Sequence, residues 1–238
     1  MKKLSGFLIV VLFAMLTVAA WGYADGPKRE HALPRVIHGF AFQPYQKDQD
    51  AIAGEDPTSA QIDADLKLLA GTTRAVRTYS SIGTLGEIPA LARKHGLKVM
   101  LGSWIDSDRE RNDREVEAAI RLANTNRNVT RILIGNEVVL RGDLPVEDLI
   151  AHLDRVRAAT KQPVSTAEPW HVWIKHPELV AHVDFITVHM LPYWEGVEVE
   201  AAVGYVVAKL GEVRDAFPGK PIVIGEVGWP SEGRTRDS

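Results

Sequence analysis

Two glutamates stand at the same place in two similar stretches of this 238-residue chain: Thr130-Arg131-Ile132-Leu133-Ile134-Gly135-Asn136-Glu137, and later Pro221-Ile222-Val223-Ile224-Gly225-Glu226. Each stretch is a short apolar run, too compact for a helix, that reads as a strand buried on both faces and handing a carboxylate out at its C-terminal end. A pair of carboxyls converging from two strand ends suits cleavage of a glycosidic bond. One carboxyl protonates the leaving oxygen while the other attacks or stabilises the anomeric carbon.

What must position the pair is an alternation of strands and helices. Val36 to Phe42 reads as a first strand, and further strands read at 74–79, 98–102, 131–135, 164–167, 185–189 and 222–225. The first helix is expected to be capped by Asp56, with Pro57 in its first turn, Ile62, Leu66 and Leu69 along one face, and Gly71 closing it. Apolar stripes at helical spacing recur as Val116, Ala119, Ile120 and Ala123, as Val146, Leu149, Ile150, Leu153 and Val156, and as Val199, Ala202, Val206, Leu210 and Val213. Strand followed by helix is the rhythm of right-handed βαβ units in a parallel sheet. A doubly wound open sheet fits the alternation too, but no Gly-x-Gly-x-x-Gly follows the first strand and there is no Gly-Lys-Ser/Thr phosphate loop. The expected fold is therefore α/β, a (β/α)8 TIM-type barrel, which gathers functional groups at the C-terminal ends of its strands. Only 12 residues follow Glu226. The barrel is thus expected to be truncated after the seventh strand and to expose apolar strand and helix surface.

Composition narrows the chemistry. The formal charge is -3, from 28 Lys and Arg against 31 Asp and Glu without long blocks of either sign, so no nucleic-acid partner is implied. The absence of cysteine removes disulfides, thiolate metal sites and cysteine nucleophiles. Neither a His-Glu-x-x-His pair nor a Gly-x-Ser-x-Gly elbow is present, which sets aside metal and serine hydrolases and implies no metal or cofactor. Met1-Lys2-Lys3 precedes an uncharged run over residues 4–24, read as an export signal that is either cleaved or retained as a membrane anchor. The rest of the chain is then expected on the periplasmic or extracellular side. Residues 25–35 read as a linker and 36–238 as the barrel.

Four stretches, Gly135-Asn136-Glu137-Val138, Thr166-Ala167-Glu168-Pro169-Trp170, Val183 to His189, and Gly225-Glu226-Val227-Gly228-Trp229-Pro230-Ser231, together resemble glycoside hydrolase family 17. The resemblance covers the chain from about Val36 to its end. It is nearer to the bacterial glucan-synthesis members, some called β-(1-6) glucan synthases, than to the plant glucanases. It implies that Glu137 is the acid/base, that Glu226 is the nucleophile, and that configuration is retained. It also implies a β-1,3-linked glucan substrate, cleaved by water or transferred to another glucan. Retention asks for carboxyls about 5 to 5.5 Å apart, one protonated and one ionised, and mutual proximity helps to raise one of them.

Around this pair, Asn136 is placed to donate to a sugar 2-hydroxyl, and Arg77, two residues before Tyr79, to hold Glu226 ionised. Their plainer readings are a turn asparagine and a barrel salt bridge. Glu168 and His189 end the next strands, as groups for sugar hydroxyls or for orienting the nucleophile. Trp104, Trp170, Trp173, Trp194 and Trp229 all follow strand ends, and with Tyr193 they offer flat faces to pyranose rings, although packing among loops accounts for some of them. A glucan-binding module without turnover is the second reading.

Overall fold

The apolar runs become seven strands: β1 (Phe40–Ala41), β2 (Ala75–Arg77), β3 (Lys98–Ser103), β4 (Val129–Asn136), β5 (Val164–Pro169), β6 (Ile186–Met190) and β7 (Ile222–Val227). In the computed structural model, which describes residues 2–24, 35–51 and 53–230, every strand pairs in parallel with the next, in the order β1 to β7. Helices α2 (Ser59–Leu69), α3 (Ile88–Lys94), α4 (Arg109–Thr125), α6 (Val146–Ala159) and α8 (Val199–Ala216) connect them, and the short α5 (Val138–Arg141) and α7 (Trp170–Lys175) follow β4 and β5 directly. The sheet curls on itself: Arg77, at the end of β2, donates both to Glu226 on β7 and to Asn136 on β4. Only a nearly closed barrel brings those three strand ends together. The expected TIM-type barrel is thus what forms, with seven strands among the described residues and β1 and β7 as the sheet's edges.

Two apolar clusters hold it. The larger lies between sheet and helices, where Val76, Leu101, Ile132, Ile134 and Val188 meet Ile62, Leu66, Val116, Leu149 and Leu153, all fully or almost fully buried. A smaller cluster of Leu133, Ala167 and Phe185, with Met100 and Val223, draws on alternate strand positions. Side chains of successive strand residues point to opposite faces, so Leu133 turns away from the helices that Ile132 and Ile134 meet. Among the described residues, apolar surface is left open on the outer side of α8 at Val199, Val203 and Val207 and on β7 at Ile224 and Val227. Val199 therefore lies outside the buried face expected for its helix.

Several element boundaries differ from the sequence reading. Thr58 rather than Asp56 caps α2: its hydroxyl accepts from the Gln61 N–H (3.3 Å) while the Gln61 side chain accepts from the Thr58 N–H (2.8 Å). This reciprocal capping box satisfies two otherwise orphaned groups. Asp56 instead accepts from the Tyr45 hydroxyl (3.3 Å). The first strand is shorter than expected, with only Phe40 and Ala41 pairing and Ile37 making an isolated bridge to Thr73, because β2 is itself three residues long.

The N-terminal segment is a unit by itself. It is helical over Lys2–Ala24, α1. Among the described residues no helix is long and apolar enough to cross a membrane. Apart from Arg35, the expected linker lies outside the described residues, as does Ser231 of the last motif.

Candidate active site

Gly135 turns the chain out of β4 at φ +85°, where a Cβ would stand 2.5 Å from Val138 Cγ2. The turn continues through Glu137, at φ 56° and ψ 33°, the one described non-glycine residue with positive φ. That conformation costs a residue with a side chain roughly 1–2 kcal/mol. Such strain persists only where the surroundings over-determine it, and it clusters at working sites. Here the Glu137 N–H donates to the Ala167 carbonyl (2.7 Å) and its carbonyl accepts from the Arg141 N–H (2.9 Å). The turned carboxylate lies 2.7 Å from His189 Nδ1.

Glu226, by contrast, is an interior residue of β7. Arg77 Nη1 (2.6 Å) and the Tyr79 hydroxyl (2.7 Å) both donate to its Oε1. Gly225 before it has ordinary backbone, but a Cβ there would stand 2.6 Å from Thr187 Cγ2 and 3.2 Å from His189 Cδ2. The glycine is what lets β6 side chains lie close against β7.

His189, buried at the end of β6, joins the two sides. Its Nε2 lies 3.2 Å from Arg77 Nη1 and 3.6 Å from Glu226 Oε1. Its Nδ1 meets Glu137 Oε1, so the ring bridges the two carboxyls. A guanidinium has no acceptor and keeps its protons, so Nε2 must accept. The same logic orients Asn136, whose Oδ1 accepts from Arg77 Nη2. Its amide group is left to donate elsewhere.

Electrostatics bear on Glu226 in particular. Burial pushes the Glu226 carboxyl up, but the His189 ring, the Arg77 guanidinium and the Tyr79 hydroxyl outweigh it and hold the group below the usual glutamate range. Burial also pushes the Tyr79 hydroxyl well up, so it stays a donor.

A family model for the BtgE/BtgC glycoside hydrolase domain matches residues 39–238. The chain belongs to this family. The resemblance to glycoside hydrolase family 17 is borne out as well: a β-1,3-glucanosyltransferase of that family from Rhizomucor miehei is 28% identical, with a TM-score of 0.70 over 82% of this chain and 72% of its own. An active-site mutant of the same transferase in complex with laminaritriose matches with a TM-score of 0.71. Among curated relatives, a glucan 1,3-beta-glucosidase of Schizosaccharomyces pombe is 30% identical over 71% of this chain, and one of Arthroderma benhamiae 27% over 76%. The chain spans 59% and 63% of those two proteins' lengths.

The remaining candidates of this family member divide by position. Tyr193 stands edge-on to both Trp194 and Trp229, with ring centroids 5.3 and 5.6 Å away, which makes an aromatic wall beyond β6 and β7. Trp170 donates to Glu195 (3.1 Å) and carries Lys209 Nζ 3.9 Å from its ring centre. Trp104 donates to Asp106 (3.1 Å), and the Arg141 guanidinium covers one of its faces. Trp173 is fully buried and donates to the Thr187 carbonyl (3.0 Å), so it is a core residue. Glu168 is wholly buried too: its oxygens accept from the Val139 and Leu140 N–H groups, and burial, working against those two bonds, pushes it up to about 7. It supports the Glu137 turn from behind and offers no open face to a sugar. Sequence reasoning did not single out Arg141, which belongs to none of the motifs read there.

Proposed function

We propose that this barrel is a retaining enzyme acting on β-1,3-linked glucan, with Glu226 as nucleophile and Glu137 as acid/base. The observation that carries the reading is the unequal setting of two carboxylates on either side of one buried imidazole. Glu226 has a permanent cation and a phenol on Oε1, and we assign Oε2 to attack. In the first step Glu226 bonds to the anomeric carbon as Glu137 gives its proton to the departing oxygen. In the second, Glu137 takes a proton from the acceptor, which displaces Glu226. Water as acceptor gives hydrolysis, and a sugar hydroxyl gives transfer. Asn136 donates to the 2-hydroxyl, and the wall of Tyr193, Trp194 and Trp229 stacks on pyranose faces. Likeness to the transferase and the glucosidases supports the substrate class. Residues 1–24 serve as export signal or anchor, which puts the barrel where extracellular or periplasmic glucan is.

Among the described residues β1 and β7 are the unpaired edges of the sheet, and this uncovered edge is what a second reading starts from: a glucan-binding module without turnover. Incubation with short β-1,3-gluco-oligosaccharides and mass analysis of the products separates the cases. Products longer than the donor mean transfer, only shorter ones mean hydrolysis, and binding without products means the module. Glu226→Ala is expected to abolish turnover and leave binding within a few-fold; unchanged turnover in that variant sinks the assignment. Retention is checked by the anomer first formed, seen by proton NMR, and initial inversion rules it out.

A further inference from the structure

The Glu137 turn is fastened by a residue that no strand supplies. Arg141, the last residue of α5, folds its guanidinium back over the turn: Nη1 donates to the Asn136 carbonyl, Nη2 to the Ile105 carbonyl just beyond β3 (2.9 Å), and Nε to Asp143 Oδ2 (2.6 Å). Its plane lies over Trp104, with Cζ 4.6 Å from the ring centre. Trp104 is itself held by Asp106, which pairs with Arg111. On the other side, buried Glu168 takes the N–H groups of Val139 (2.9 Å) and Leu140 (3.3 Å). The peptide before Glu137 and two peptides after it are therefore each gripped by an ionisable side chain. A solvated surface arginine has no reason to bridge carbonyls from two different strand ends. The planar fork of donors is what such a bridge requires, and lysine does not possess it.

We infer that Arg141, backed by Glu168, is a positioning residue that keeps Glu137 in its left-handed conformation and so aims its proton at the leaving oxygen. This rests on the reading of Glu137 as the acid/base. Without the grip on the Asn136 carbonyl, the strained turn is free to relax, and the carboxyl swings off His189 and off the scissile bond. A shift of about 1 Å at a reacting group is enough to cost on the order of a hundredfold in rate.

The leaving group reads this out. A proton donor matters for a sugar alkoxide and little for dinitrophenolate, which departs unprotonated. In Arg141→Met and Arg141→Lys, kcat/KM for an unactivated β-1,3-gluco-oligosaccharide should fall about a hundredfold, while that for a 2,4-dinitrophenyl β-glucoside changes by no more than about threefold. Glu168→Gln, a milder change at the second grip, should show the same signature more weakly and carries the test where an Arg141 variant does not fold. Equal losses on both substrates in folded variants, no loss on either, or full rescue by lysine would overturn the inference. Glu137→Gln provides the reference: it should show the leaving-group signature at larger size. If it does and the Arg141 variants do not, positioning alone fails. A Glu137→Gln chain as active as the parent on the oligosaccharide overturns the site reading, and the inference with it.

Discussion

Glu226 belongs to its strand, and Glu137 stands one residue past the end of its own. For Glu226 the backbone is ordinary, and specification comes from side chains of distant strands, Arg77 and Tyr79, that meet it inside the barrel. For Glu137 the order is reversed: its side chain meets the His189 ring, and specification comes through the backbone, from Ala167, Arg141 and Glu168. The difference matches the two tasks proposed for them. A group that must stay ionised is served by a permanent positive charge, whereas a group that must both give and take a proton is served by aim.

The comparison breaks most visibly if Arg77 is not what keeps Glu226 charged. Arg77→Met leaves the carboxyl buried without its cation, so burial dominates and its pKa must rise. Activity on β-1,3-gluco-oligosaccharides should drop by about a thousandfold or more, in line with losing a charge-assisted contact at a reacting group. The acidic limb of the kcat/KM profile should also move to higher pH. A limb that stays in place would mean that His189 and Tyr79 hold the group down without Arg77.

A smaller effect separates the two glycines that precede the glutamates. Gly135→Ala forces a side chain both to φ +85° and to within 2.5 Å of Val138, whereas Gly225→Ala only crowds Thr187 and His189. Overpacking of that kind costs about 1–3 kcal/mol, and the left-handed conformation adds roughly 1–2 more. Urea unfolding should therefore rank Gly135→Ala as the less stable variant, and equal losses would remove the distinction between turn and close approach.

Much of this arrangement was written locally. The apolar runs that end in Gly and Glu, the helical stripes and the positions of Arg77 and His189 at strand ends were enough to place the barrel and its central cluster. What escaped was whatever depends on the direction a chain takes after a strand. α7 starts at once after β5 and turns Trp173 back into the core, while Trp170, on the same short helix, stays half-exposed. Position after a strand end could not tell them apart. Asp56 and Thr58 are both good caps, and the deciding signal was Gln61, three residues after Thr58. Glu137 follows Gly and Asn, the types that tolerate positive φ, so nothing local shows that it adopts that conformation as well. Contacts with Ala167, Arg141 and Glu168 hold it there.

Those buried supports come as a pair, which sharpens the comparison once more. Glu168 stands behind Glu137; Glu115, on α4, stands behind the Tyr79 loop and accepts from Ser80 Oγ and from the Ser81 N–H (2.7 Å). Burial pushes Glu115, too, up to about 7, against the pull of those bonds. Its folded pKa is thus raised above the ordinary glutamate value near 4.5, and between these two pH values the folded chain binds more protons than the unfolded one. Stability then falls as pH rises from about 4.5 to about 7 and does not recover above it. Glu115→Gln keeps an acceptor for the Ser81 N–H and cannot ionise. Its melting temperature, followed against pH beside the parent's, should decline less across that window and end a few degrees higher relative to the parent at pH 8 than at pH 4.5. Parallel curves would mean that Glu115 is folded in as an anion, and that the Tyr79 side of the site, like Glu226 itself, rests on ionised groups.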